Sequence, residues 1–381
     1  MNPLEKQIHT RIFGLDLIRA LAILLVLFSH VYYLIDSTNP LVISLSGLSG
    51  FAGVELFFVL SGYLIGSILL RQYIADNFSL QSIFIFLKRR WFRTLPNYYL
   101  VLLVNLAIAF FLGYSSQYWY DYFFFFQNFK SYYIGFFSES WSLSIEEWTY
   151  ILLPFSLFFV LKFGNKLSKK GTFLFAILLL IVLAHILRYF NMKNSEISTM
   201  EIWNTNLKSI VIYRFDTILF GVLLAWWHHF YEDFLNQYKV YFLILSAHLF
   251  VLQFVVLNVL GVDIVSCPVY FLVFYFTLSS MIFFLVLPYF LFWKNAPQVF
   301  STVIVFISKT SYSVYLIHYS IVVVVFKYIL NQFLHQLPTS LILFIYFGIT
   351  FSLSYVLYRF FEKPIMNWRD RNQELFKIND Q

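Results

Sequence analysis

Apolar residues in this chain are not alternated with polar ones; they gather into runs of about twenty, separated by short polar clusters. The runs fall near 12–35, 50–71, 95–113, 144–162, 171–189, 209–227, 238–260, 268–291, 302–328 and 339–361. A helix needs roughly 20 apolar residues to cross the hydrocarbon core of a bilayer, so the pattern predicts an all-α, polytopic transmembrane bundle of about ten helices. Trp119 to Phe137, with its run of four phenylalanines, is too short and too interrupted to span. It reads as a re-entrant or interfacial segment rich in aromatic anchors. The longest polar connections, 72–94 and 190–208, are too short for a soluble domain, so residues 1–381 read as a single membrane domain with its chemistry in or beside the bundle.

Composition agrees with the pattern: 60% of the 381 residues are hydrophobic and 12% are charged, against roughly 25% charged in soluble domains. Met1 to Arg11 lacks a small-residue cleavage site and the apolar run after it exceeds a signal-peptide core, so the first helix is expected to be retained. The net charge of +7 reflects where the cations lie. With the amino terminus inside, nineteen Lys and Arg fall on the inner segments and six on the outer ones. That bias predicts both termini in the cytoplasm and gives no reason to invoke nucleic acid. Cys267 is the sole cysteine, which excludes an intrachain disulfide framework, and no set of His and acidic spacings suggests a metal site.

Charge inside a span is expensive, and it marks pathways and reaction sites. The first helix carries Asp16, Arg19 and His30. Eleven residues at about 100° each bring Arg19 and His30 to within about 20° of one face, roughly 16 Å apart along the axis. They would line one channel at two depths, while Asp16 and Arg19, one turn apart, are also spaced to neutralise each other. The second helix has Glu55 near its outer end, then Ser61, Gly62 and Gly66, a small face on which another helix or an extended substrate arm fits. Mid-helix serine is better read as packing than as a nucleophile.

Arg90 and Arg93, one turn apart at the inner start of the third helix, offer two guanidinium forks to a phosphate; basic clusters at inner helix ends are also what topology alone requires. Trp141 to Pro154 reads as a helix start with Glu146 and Glu147 in its first turns, serving as a cap, a partner for an imidazole, or a holder of a sugar hydroxyl. Arg214, Asp216 and His318 bring further polar side chains into the bundle, and His318 suits a satisfied core position as well as a catalytic one.

Taken together, these motifs resemble the integral-membrane acyltransferase 3 family over nearly the whole chain. The marks are Leu15-Asp16-Leu-Ile-Arg19-Ala-Leu-Ala with His30 eleven residues on, Phe57-Phe-Val-Leu-Ser61-Gly62-Tyr63, Arg90-x-x-Arg93-x-x-Pro96, Trp141-Ser-Leu-Ser-x-Glu146, Arg214-Phe-Asp216, Ser311-Tyr-Ser-x-Tyr315 and Glu362-Lys363-Pro364. Ala20 departs mildly from the family's arginine-glycine pair, and no SGNH-type hydrolase domain follows the last helix in this sequence, so transfer is expected within the membrane domain.

The resemblance implies a bacterial inner-membrane O-acyltransferase that takes an acyl group, acetyl first among the choices, from cytoplasmic acyl-CoA. The group would go to a hydroxyl of a cell-surface or lipid-linked glycan such as a polysaccharide or lipopolysaccharide. On that reading Arg90 and Arg93 hold the CoA phosphates, and the pantetheine arm passes Arg19 and the Ser61-Gly62 face. His30 acts as base or acyl carrier, Glu146 orients His30 or the sugar, and Glu55, Trp141, Arg214, Asp216 and His318 face the acceptor. Acyl-CoA and membrane lipids are the implied partners, self-association stays open, and no metal or permanently bound cofactor is implied. A transporter or flippase of lipid-linked sugars is the rival reading, because it would also bury Arg, His and Glu; binding of free CoA separates the two.

Overall fold

The structure is a computed structural model that describes residues 11–35, 37–75, 78–131, 135–163, 168–334 and 337–372. Ten helices organise it: α1 Phe13–Ile35, α2 Pro40–Ile74, α3 Leu80–Leu112, α4 Ser140–Phe163, α5 Lys169–Asn194, α6 Asp216–Phe230, α7 Glu232–Val259, α8 Tyr270–Leu291, α9 Gln298–Ile329 and α10 Thr339–Arg371. Among the described residues nine are long and apolar enough to cross a membrane, and no strand occurs. The exception is α6, whose 15 residues reach only about 22 Å.

The helix ends follow local chemistry. Pro40 opens α2 behind Asn39, whose side chain accepts from the Leu41 N–H. Ser79 and Ser82 form a reciprocal cap at the start of α3, and Gly113 ends it in the left-handed conformation. The apolar run expected at 209–227 becomes helical only from Asp216. Its first residues make a 3-10 turn, Val211–Tyr213, tied down by Val211 N–H donating to Asn128 O at 3.0 Å. At the other end α10 continues past the apolar run, which was expected to close at 361, to Arg371. A π-turn, Tyr358–Glu362, restarts the helix so that proline falls in a first turn.

The α2–α6 contact fixes the centre. A Cβ on Gly62 would stand 1.9 Å from Ile218 O, and one on Gly221 would stand 2.0 Å from Val59 O, so the two backbones touch. The small face of α2 is therefore filled by a helix, and Gly62 does not border a path for a substrate arm. α1 packs along the other side of α2 and contributes Ile18 and Ala22 to one apolar cluster, Ile23 to Leu34 to a second.

Among the described residues of the Trp119–Phe137 segment no helix is long enough to span. The segment makes a 3-10 turn, Trp119–Phe124, between Tyr118 and Phe125 in left-handed backbone, then turns buried amides inward. Gln127 Nε2 donates to Ser144 Oγ at 2.7 Å, and Asn128 Nδ2 donates to Trp141 O at 2.9 Å and Ser209 O at 2.6 Å. These amide bonds dock the segment on the start of α4.

Candidate active site

Three polar constellations lie within the bundle. The first centres on Glu146. Although it was expected at the outer start of α4 beside His30, it sits six residues inside the helix, about 9 Å from its first residue. There it accepts from Arg90 Nη2 at 2.8 Å and from the Ser61 hydroxyl, while Arg90 lies 4.4 Å over the Tyr150 ring. Tyr150 is the residue the sequence reading passed over. It lies one turn from Glu146 on the same face of α4, and its hydroxyl bonds both Ser61 and Arg90. Buried Glu147 looks the other way and accepts from Thr94 Oγ1 at 3.0 Å. The pairing of Glu146 with His30 is not formed, because the Arg90 guanidinium holds that carboxylate.

Beside this network stand Arg19 and Arg93. Arg19 is half-buried and Arg93 exposed, so both keep accessible surface. Among the described residues neither donates a hydrogen bond to a carboxylate. They lie near enough to each other and to Arg90 for their charges to repel. Asp16 makes no ion pair with Arg19 and acts on it only through space: its direct partners are Arg11 and Ser308 Oγ, the latter at 2.7 Å. The result is a cluster of three cations with one carboxylate, Glu146, bonded to it, a field that suits a polyanionic ligand.

The second constellation holds His30, which the structure joins to His318. His30 Nδ1 is 3.0 Å from Val26 O and 3.1 Å from His318 Nε2, and His318 Nδ1 is 2.8 Å from Tyr315 O. His318 is wholly buried and His30 half-buried. Tyr319 and Tyr33 stack about the His30 ring, with centroids at 4.7 and 6.1 Å. The same two tyrosines line an open cleft of about 680 Å³ that also exposes Tyr114, Lys327 and Tyr328. None of these cleft residues was singled out from sequence. Tyr319 next to His318 and Tyr33 one turn from His30 were the available signals.

The third constellation is closed. Arg188 grips Asp216 with two nitrogens, at 3.0 and 2.8 Å, and also reaches Tyr213 O and Thr277. Arg214 pairs with Glu55 and lies 3.8 Å over the Phe276 ring. All four charged side chains are at most 1% exposed. Residues expected to meet the acceptor are thus taken up in joining α2, α5, α6 and α8, because each carboxylate found a guanidinium at the same depth. Trp141 packs edge-on against Phe58, and Lys208 lies 5.5 Å over its ring. Burial, reinforced by the Arg214 guanidinium and opposed by Glu55, pulls the Lys208 ammonium down to about 8. No group of three His, Cys, Asp or Glu fit to hold a metal occurs among the described residues.

Comparison with known proteins bears on what these groups do. Residues 12–359 match the model of the family described as Acyltransferase domain. The chain is 28% identical over 392 residues to the O-acetyltransferase OatA of Staphylococcus aureus (strain NCTC 8325 / PS 47), covering 95% of this chain and 58% of that protein. It is equally 28% identical over 395 residues to a protein of strain COL named Putative O-acetyltransferase, covering 93% and 58%. With the Putative peptidoglycan O-acetyltransferase YrhL of Bacillus subtilis (strain 168) it shares 34% identity over 201 residues, 47% of this chain and 28% of the relative. The chain therefore spans little more than half the length of the staphylococcal relatives it matches. No solved structure matches it.

Proposed function

This chain belongs to the acyltransferase family whose model it matches, and from that premise we propose that it moves an acetyl group from acyl-CoA to a hydroxyl of a cell-surface glycan. The observation that carries the reading is the pairing, in one integral membrane bundle, of an open arginine cluster with a histidine that packs against two tyrosines of an aromatic cleft. Arg19, Arg90 and Arg93 form a site for the phosphates of CoA, whose negative charge supplies what three repelling guanidinium groups lack. The cleft beside His30 suits a sugar: Tyr33, Tyr319 and Tyr114 bring aromatic rings to it, against which the C–H face of a sugar can pack. Staphylococcal and Bacillus relatives carrying O-acetyltransferase names support an oxygen acceptor, and the Bacillus name suggests peptidoglycan as the glycan to try first.

His30 is the base on this reading, since it packs against Tyr33 and Tyr319 of the cleft and imidazole can be both neutral and basic near pH 7. Arg19 lies roughly 16 Å along the same helix. It serves the donor, with the CoA phosphates held on the cytoplasmic side and both termini there. The test is His30→Ala in a deletion strain complemented with the full chain. O-acetate on the surface glycans should fall by about 10²–10⁴-fold while protein abundance and acetyl-CoA binding stay normal. Near wild-type O-acetate in that strain would remove His30 from the reaction.

A further inference from the structure

His30 and His318 lie 288 residues apart in sequence and face each other through ring nitrogens 3.1 Å apart. Such a contact needs one donor and one acceptor, and the surrounding atoms decide which is which. Tyr315 O, 2.8 Å from His318 Nδ1, is a carbonyl and can only accept, so the proton of neutral His318 sits on Nδ1. Its Nε2 is then a bare lone pair. His30 Nδ1, which also faces the Val26 carbonyl at 3.0 Å, must carry the proton that both acceptors share. The remaining nitrogen of His30, Nε2, is left bare. The opposite assignment would put a second proton, and a positive charge, on a wholly buried ring. It would also aim the His30 lone pair at the Val26 carbonyl.

The Val26 contact alone is not distinctive. His185 and His248 make the same bond from Nδ1 to the carbonyl four residues earlier, at 2.8 and 2.7 Å. What sets His30 apart is the second acceptor, delivered by another helix. Its setting is built for that task. The His318 ring lies 5.6 Å from the Tyr315 ring, and the Tyr315 hydroxyl is held by Ser142 and by Glu139 O at 3.2 Å.

We propose that His318 is the positioning residue for His30: its Nε2 lone pair accepts the His30 Nδ1 proton, leaves His30 Nε2 bare, and steadies the imidazolium that forms during transfer. This rests on the proposed acyltransferase reading. In the step, the sugar oxygen bonds the acyl carbon as the C–S bond to CoA breaks. The hydroxyl proton moves to His30 Nε2 and then to the departing sulfur. Through that exchange Nδ1–H stays on the His318 lone pair, and the bond shortens and strengthens while His30 is charged. A neutral imidazole thus stands where hydrolytic triads place a carboxylate, at less desolvation cost inside a membrane bundle.

The experiment uses the full chain in lipid nanodiscs with ring-15N histidine. A through-hydrogen-bond 15N–15N coupling should join His30 Nδ1 to His318 Nε2, with the proton on His30, and should vanish in His318→Phe. In complemented cells His318→Phe should lower glycan O-acetate at least tenfold at unchanged abundance and acetyl-CoA binding. His318→Gln, whose amide oxygen can accept the same proton, should recover most of it. Absent coupling, a proton found on His318 Nε2, or a Phe variant as active as wild type would overturn the proposal. If no variant, wild type included, acetylates glycan, the functional reading fails, while the coupling still reports the hydrogen bond itself.

Discussion

Arg188 and Arg90 both reach across the bundle to a carboxylate, yet the molecule treats them oppositely. Arg188 and Asp216 are both 0% exposed and joined by two parallel bonds, whereas Arg90 and Glu146 keep 20% and 19% of their side-chain surface. The first pair is closed in by Tyr213 O, Thr277 and the Phe276 ring; around the second stand Arg19 and Arg93, bonded to no carboxylate among the described residues. Two charges cost several kcal/mol each to dehydrate, so a sealed pair is tolerable only with complete, rigid complementarity, and once formed it has little to offer a ligand. A cluster with an excess of one sign and residual access is the reverse: poor glue, and ready to bind. Burial and charge balance thus separate the cations that hold the fold from those that await a substrate.

The sharpest way to break this comparison is to unseat one partner of the sealed pair. Asp216→Ala leaves Arg188 as an uncompensated buried cation, and the expected loss is about 3–5 kcal/mol of stability. Thermal unfolding of the variant in nanodiscs, or its disappearance from the membrane fraction, would register it. A variant as stable as wild type would mean that water reaches Arg188 and that the pair is not sealed.

Removing a cation from the open cluster should do the opposite. Arg93→Ala relieves repulsion with Arg19 and Arg90, so stability should hold or rise slightly. Acetyl-CoA affinity should fall by about 1.5–3 kcal/mol, the cost of one charge-assisted bond; this is roughly ten- to 150-fold in Kd. Lysine should recover part of that, because it restores charge without the planar fork. Titration of the purified chain with acetyl-CoA decides it: unchanged affinity would return Arg93 to a purely topological cation.

Hydropathy alone located nearly all the helices, since lipid demands long unbroken apolar runs whatever the fold. It misplaced the start of α6 because Val211 and Ile212, apolar by composition, are bonded to Asn128 and Phe129 outside the helix. The arginine cluster and His30 were legible as charge out of place. Their partners were not: periodicity reports which residues share a face of one helix, whereas Glu146 meets Arg90 across 56 residues, His318 meets His30 across 288, and Asp16 meets Ser308 across 292. Gly62 shows the same limit. Sequence offered its open face to a helix or a substrate, and only the backbone of α6 at Ile218 decided which.

Arg11 and Asp16 occupy the middle ground, and they supply the smallest expected effect. Asp16 is buried, but Arg11 leaves 40% of its side chain exposed, so water can stand in for the guanidinium when it is removed. Ser308 continues to donate to Asp16 Oδ1. Arg11→Ala should therefore cost no more than about 1 kcal/mol, well under the Asp216→Ala loss, and the residual effect should shrink as salt is raised because an exposed pair is screened. Unfolding temperatures of the two variants, measured side by side at low and high salt, test the ranking. A salt-independent loss from Arg11→Ala as large as that from Asp216→Ala would show that exposure does not divide the charges of this bundle as argued.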